Sequence, residues 1–233
     1  MIANFVITID GVVSFAIPGK SEAGRVSAGH PADRFVLALL RACAGAIVVG
    51  AGTLREEGAH LWTPEYVFPE AAADFNALRG ERPRPPTVFV TATGDIDLRA
   101  PVFSTGDAVV IITTRAGAAR LSSAPRHVRV IAAGDARPSA TDIVRIVRDE
   151  THADLILTEG GPTLLAEFVR SLALDELFLT IAPQLAGRSE GERRPGLLEG
   201  VGFTPEEAPW WRLLGVKKAD DYLFLRFASS RTP

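Results

Sequence analysis

The sequence predicts an α/β fold built on a mostly parallel central sheet flanked by helices. Three observations carry that expectation. Short β-branched apolar runs alternate with helical patterns, as in βαβ units. Several of those runs are apolar at nearly every position, as strands covered on both faces are. Near the C-terminus the alternation stops, and three strand-like runs follow one another with no helix between them.

The predicted strands are 4–9, 46–50, 87–91, 109–113, 128–131, 155–158 and 177–181. Runs 211–216 and 222–227 form an antiparallel addition at one edge of the sheet. A helix over 31–44 carries Phe35, Val36, Leu39 and Leu40 at helical spacing, with Pro31 suited to its first turn. Ser139 or Thr141 caps a helix that reaches Glu150. The run 163–171 places Leu164, Leu165 and Phe168 on one helical face. Stretches 58–86 and 186–209 read as loops, apart from a short helix at 70–78. Loops this long are often functional. Cys43 reads as a packing residue, and the pair Trp210-Trp211 as core or interface packing.

Composition narrows the function. The 233 residues are 47% hydrophobic and 23% charged, ordinary for a globular chain able to bury a core. A net charge of −3 argues against a clamp on nucleic-acid backbone. One cysteine excludes a disulfide framework and a multi-cysteine zinc site. Four histidines without ligand spacing predict no catalytic metal. No run is long enough to span a membrane, and Met1-Ile2-Ala3-Asn4 lacks the basic start of a signal peptide. A cytoplasmic protein without a membrane partner is the expectation.

The strongest local signal is Thr158-Glu159-Gly160-Gly161-Pro162-Thr163-Leu164, which ends a buried strand and opens a helix. Glycines let a ligand approach the main chain, and the helix start favours an anion. A phosphate or pyrophosphate cradle is one reading; a tight turn without ligand is the other. Val48-Val49-Gly50-Ala51-Gly52-Thr53 repeats the pattern. Both turns lie at the carboxyl ends of their strands, where open α/β sheets bind ligands. Thr8-Ile9-Asp10-Gly11 reads as a turn, with Asp10 as a less favoured catalytic candidate. Asp10, Glu57 and Glu159 are the carboxyls placed to handle a proton or bind hydroxyls. Arg41 either reaches a phosphate or serves its helix end.

These residues, in this order, resemble the reductase domain of riboflavin biosynthesis, a member of the dihydrofolate-reductase-like superfamily. The matching pieces are Thr8–Gly11, Leu40-Arg41-Ala42, Ala46–Thr53, Leu155–Thr163 and Asp175-Glu176-Leu177 through Ala182-Pro183. The resemblance implies one reductase domain over 1–233, without the zinc deaminase domain of the bifunctional members. It implies NADPH as cofactor and reduction of a ribosylaminopyrimidine 5′-phosphate, ribose to ribityl. Gly50, Gly52, Thr53, Gly160, Gly161, Pro162, Thr163, Leu164 and Leu165 would then touch the cofactor. Ile7 and Thr8 would line its nicotinamide side. Thr91, Thr93 and, more loosely, Arg115 would meet the adenosine 2′-phosphate. Arg41, Leu61 and Glu159 fall where the family binds substrate. A homodimer and a cis Gly160–Gly161 peptide are further expectations by resemblance.

The substrate half departs from the family. Its usual Asp-Asp-Pro is altered around Glu56-Glu57-Gly58, where Glu57 keeps a carboxylate at the first Asp position. A substrate-contacting Arg appears as Pro64, and 21–29 lacks the family's Trp. These departures leave open a pterin substrate such as dihydrofolate, and a nucleotide-binding protein without catalysis.

Overall fold

The computed structural model describes residues 1–17, 22–191 and 194–230. The apolar runs become β1 (Ile2–Thr8), β2 (Ala46–Gly50), β3 (Thr87–Val90), β4 (Val109–Thr113), β5 (Val128–Ala132), β6 (Ile156–Thr158) and β7 (Glu176–Ala182). They pair in parallel, and β9 (Tyr222–Ser229) and β8 (Trp211–Ala219) add antiparallel to β7. The order across the nine-stranded sheet is β5-β4-β3-β2-β6-β1-β7-β9-β8. The helices are α1 (Glu22–Val26), α2 (Pro31–Cys43), α3 (Ala51–Glu56), α4 (Pro64–Val67), α5 (Ala72–Arg79), α6 (Arg115–Arg120), α7 (Ala140–Thr151) and α8 (Pro162–Arg170).

Strand alternation splits the core between the two faces. Ile2, Ile47, Val49, Phe89 and Ile111 pack with Leu40 of α2 and with Ala44, which caps its C-terminus. Ala3, Val48, Val88 and Ile112 pack with Ile143 and Val147 of α7 and with Leu165 and Phe168 of α8. The continuous apolar runs are therefore strands buried on both sides. Gly94 and Gly117 bring the turn after β3 against α6, where a Cβ on Gly94 would lie 2.3 Å from the Gly117 carbonyl oxygen.

Several local expectations shift. β1 starts at Ile2 and ends at Thr8, because a turn closed by the Gly11 amide on the Thr8 carbonyl lifts Ile9 out of the sheet. The predicted helix at 70–78 resolves into a 3₁₀ turn over Pro69–Ala71 followed by α5. Helices α1, α4 and α6 lie in stretches not read as helical; each is too short for apolar periodicity to register. Trp211 packs against the core, but Trp210 is 82% exposed.

Stretch 186–209 has no helix or strand among its described residues, and 192–193 lie outside them, as does Ser21 of the stretch 21–29. It is nonetheless tied down. Leu197, Leu198 and Phe203 pack on the core, and Val12 bridges Gly196. Among the described residues no helix is long and apolar enough to cross a membrane.

Candidate active site

A cleft of about 1190 Å³ opens along the carboxyl ends of β2, β3 and β6, with β1 beneath and α2 as one wall. It has two chemically distinct halves.

The first half is built by the glycine turns. Helices α2, α4, α6 and α7 are capped by the side chains of His30, Thr63, Thr114 and Ser139. Helices α3 and α8 begin instead at Gly50 and Gly161, with no side-chain cap, and both starts face the cleft. The first amides of a helix have no partner inside it, so these are left for a ligand. The two turns touch. A Cβ on Gly50 would stand 3.9 Å from the Gly161 amide nitrogen, and one on Gly161 would stand 3.5 Å from Thr53 Oγ1. Gly160 packs so closely on α8 that a Cβ there would meet Leu164 Cδ2 at 2.6 Å. Thr91, Thr93, Arg55 and Arg137 close this half. Its backbone donors, hydroxyls and guanidinium groups fit a dinucleotide's phosphates.

The second half is organised by α2. Asp33, Leu37 and Arg41 recur at i, i+4 and i+8 and so share one helical face, spanning roughly 12 Å. Arg41 is 1% exposed. Its Nε and Nη2 bind both oxygens of Glu159 at 2.8 and 2.6 Å. Its Nη1 donates to the carbonyls of Leu61 and Thr63 at 3.1 and 3.2 Å. The remaining Nη2 hydrogen goes to His60 Nε2 at 2.9 Å. All five guanidinium hydrogens are thereby used. Since a guanidinium only donates, His60 Nε2 accepts, and its proton sits on Nδ1, 3.3 Å from Glu57 Oε2. Burial and the adjacent guanidinium push His60 down to about 3, which keeps it an acceptor at neutral pH.

Asp33 contrasts with this network. It is 9% exposed and bonded to the hydroxyls of Thr180 and Ser27. Burial raises its pKa, while those hydrogen bonds and His30 lower it only in part. Among its carboxyls the cleft thus holds Glu159, paired to a guanidinium, and Asp33, whose pKa is raised by burial.

The chain matches the model of the RibD C-terminal domain over residues 1–223. It belongs to the RibD C-terminal domain family. A pyrimidine reductase-like protein from Corynebacterium diphtheriae superposes with a TM-score of 0.75 at 22% identity, covering 99% of this chain and 91% of that one. RibD from Acinetobacter baumannii gives 0.73 at 19%, covering 99% and 58%. The deaminase/reductase from Thermotoga maritima gives 0.72 at 19%, covering 98% and 56%. The chain therefore spans just over half the length of the last two. A comparison with curated protein sequences finds no match. Dihydrofolate reductase from Enterococcus faecalis shares the fold at a TM-score of 0.50.

Within this RibD C-terminal domain, the cleft brings together Gly50, Gly52, Thr53, Glu57, Thr91, Thr93, Glu159, Gly160, Gly161, Pro162, Thr163 and Leu164. Other expected site residues have different duties. Asp10 accepts from Thr8 Oγ1 at 2.6 Å and from the amides of Ala186 and Gly187 at 3.0 and 2.8 Å. Those bonds lower its pKa and pin the 186–200 loop; Asp10 does not line the cleft. Thr8 is fully buried, its hydroxyl also accepting from the Val12 amide, and Ile7 likewise stays off the lining. Leu165 faces the core on the far side of α8. Arg115 pairs with Asp135 at 3.0 Å outside the cleft. Arg41 lines the cleft but has no hydrogen left for a substrate, and Leu61 contributes a carbonyl to Arg41 instead. The Gly160–Gly161 peptide is trans, against the cis bond that the resemblance implies, as is ordinary for a bond not preceding proline.

Sequence reasoning missed Asp33, His60 and Arg137. The i, i+4, i+8 spacing with Arg41 was the available signal for Asp33. Nothing in the sequence pairs His60 with a residue nineteen positions earlier in the chain. Arg137 follows β5 on the cleft rim.

Proposed function

We propose that the chain is an NADPH-dependent reductase acting on a ribosylaminopyrimidine 5′-phosphate or a related pyrimidine. The observation that carries this reading is one cleft joining a paired glycine cradle to two carboxyls in opposite settings. Family membership and the reductases among the structural neighbours agree with it.

Bound NADPH would supply a hydride. The residues of Gly50–Thr53 and Gly160–Thr163 would hold its phosphates, and Arg137 would meet the adenosine 2′-phosphate in place of Arg115. Glu159, fixed by Arg41, would accept hydroxyl or amino hydrogens of the substrate. Asp33 would deliver the proton to the nitrogen of a C=N bond whose carbon receives the hydride, and would recover it from solvent. The balance is C=N plus hydride plus proton to CH–NH.

A pterin substrate is the second reading. It is favoured by the shortage of free cations near α2 among the described residues. Pro64 stands where the family has Arg, Arg41 is saturated, and Arg34 is already engaged with the Val67 carbonyl.

The deciding experiment follows NADPH oxidation with the ribosylaminopyrimidine phosphate and with dihydrofolate, alongside Kd measurements for NADPH and NADH. We expect turnover of the pyrimidine, and in Arg137→Ala about a tenfold loss of NADPH affinity with NADH unchanged, as for one charge-assisted contact. Turnover of dihydrofolate alone selects the second reading. Saturable NADPH binding with no turnover of either refutes both.

A further inference from the structure

Asn4 sits on β1, which pairs with β6 on one side and β7 on the other at the middle of the sheet. Its backbone belongs to the sheet, where it stands opposite Phe178. Only its side chain is left for chemistry, and that side chain lines the cleft.

Alternation puts Asn4 on the same face as Ile2 and Val6. Ile2 packs under Leu40 of α2 and the capping Ala44, and Val6 packs against Val26 of α1. Asn4 therefore forms the floor beneath the face of α2 that carries Asp33, Leu37 and Arg41.

Its Oδ1 is buried and accepts no hydrogen bond from the described residues. The other buried side-chain atoms in that condition belong to Glu65, Arg79, Glu150 and Thr113. The first three sit in ion pairs with Arg79, Glu65 and Arg129 respectively. Thr113 lies against Gly117, away from the cleft. Asn4 alone among them lines the cleft. A buried acceptor without a donor is destabilising, and a binding site is where such a cost is retained.

The chemistry of the group selects its ligand. A primary amide offers one acceptor and a two-hydrogen donor side by side, with no charge. It repels a phosphate at Oδ1. It matches a lactam edge, –NH–C=O, through two parallel hydrogen bonds. Uracil-type and pteridone-type rings carry that edge.

We propose that Asn4 reads the lactam edge of the substrate ring: its amide turns from its buried position toward the cleft, Oδ1 accepting the ring N–H and Nδ2 donating to the adjacent carbonyl. This rests on the reading of the cleft as a site for a heterocyclic substrate. Asn4 sets which ring is bound; it takes no part in hydride or proton transfer.

The test uses 6-aminouracil as a bare ring probe, with the protein saturated with NADP⁺. Wild type, Asn4→Leu and Asn4→Asp are titrated by calorimetry, and the Asn4 side-chain amide is followed by ¹⁵N NMR in the wild type. We expect the amide resonances to move on binding. We expect each variant to weaken the probe at least tenfold, with NADP⁺ affinity within twofold as the control for folding. In turnover, KM should rise and kcat change little. Asn4→Leu binding the probe as tightly as wild type overturns the proposal, and so does a wild type that binds no probe. A wild type that binds the ring but never oxidises NADPH defeats the reductase reading while leaving this one standing. If Asn4→Leu also loses NADP⁺ binding, the decision passes to Asn4→Asp, which is nearly the same size as wild type: tenfold weaker probe binding supports the proposal, and unchanged binding overturns it.

Discussion

Asp33 and Glu159 occupy the same cleft with different company, and the difference has a measurable sign. Burial lifts the Asp33 pKa, so the folded protein keeps a proton that the unfolded chain has lost. Its contribution to stability is complete below the unfolded value of 3.8 and is lost as pH rises through the folded value. Asn cannot ionise and retains hydrogen bonding to Thr180 and Ser27. We expect Asp33→Asn to raise Tm relative to wild type at pH 7 and not at pH 3, while kcat falls about 10²-fold. Thermal melts at the two pH values and steady-state assays check both halves. Unchanged kcat would remove Asp33 from proton transfer. The residue scale is also where the sequence was least legible. Glu159 stood out because it precedes a glycine pair, whereas Asp33 resembled any acidic residue in a first helical turn. Its significance comes from burial, which only the packed fold supplies. Asp10 shows the reverse: a conspicuous Asp-Gly turn whose carboxylate is spent on two loop amides.

At the scale of elements, the two glycine turns were readable because backbone need and sequence coincide there. Strands β2 and β4 match their expected bounds, since β-branched apolar residues fill most of them. Short helices gave no periodicity, and α3 was visible only through the glycines before it. The turn before α8 makes a sharp stability claim. A Cβ on Gly160 would press on Leu164, 2.6 Å from Cδ2 and 3.2 Å from Cβ, and Leu164 is itself buried. Gly160→Ala should cost about 1–3 kcal/mol, the usual range for overpacking, and weaken NADPH binding. Gly52→Ala is the comparison, because its Cβ would meet only Arg55, at 3.9 Å. Denaturant melts should show the loss in the first variant and none in the second.

The whole molecule ends asymmetrically. β5 closes one edge of the sheet and β8 the other, and β8 is exposed along most of its length. Leu213 and Val216 are each about half exposed, and Trp210 stands out beside them. We propose that a second copy covers this edge; the family resemblance implies a homodimer, and the exposed apolar residues of β8 place its seam here. Sedimentation should give twice the 24.9 kDa chain mass, and Val216→Asp should shift the protein to monomer without altering its near-ultraviolet spectrum. A monomeric wild type would refute the pairing. The antiparallel tail was legible from three strand runs without a helix. The position of β1 was not, because nothing local says where that strand will insert. It inserts between partners from far along the chain, with Ile2 in register with Leu157 and with Glu176. On the ribosome, β1 emerges long before either partner and must wait unpaired while everything between them is made. The sheet cannot close over its own middle until β6 and β7 have followed, so a nascent chain stalled before them leaves its most apolar surface open to chaperones and to aggregation.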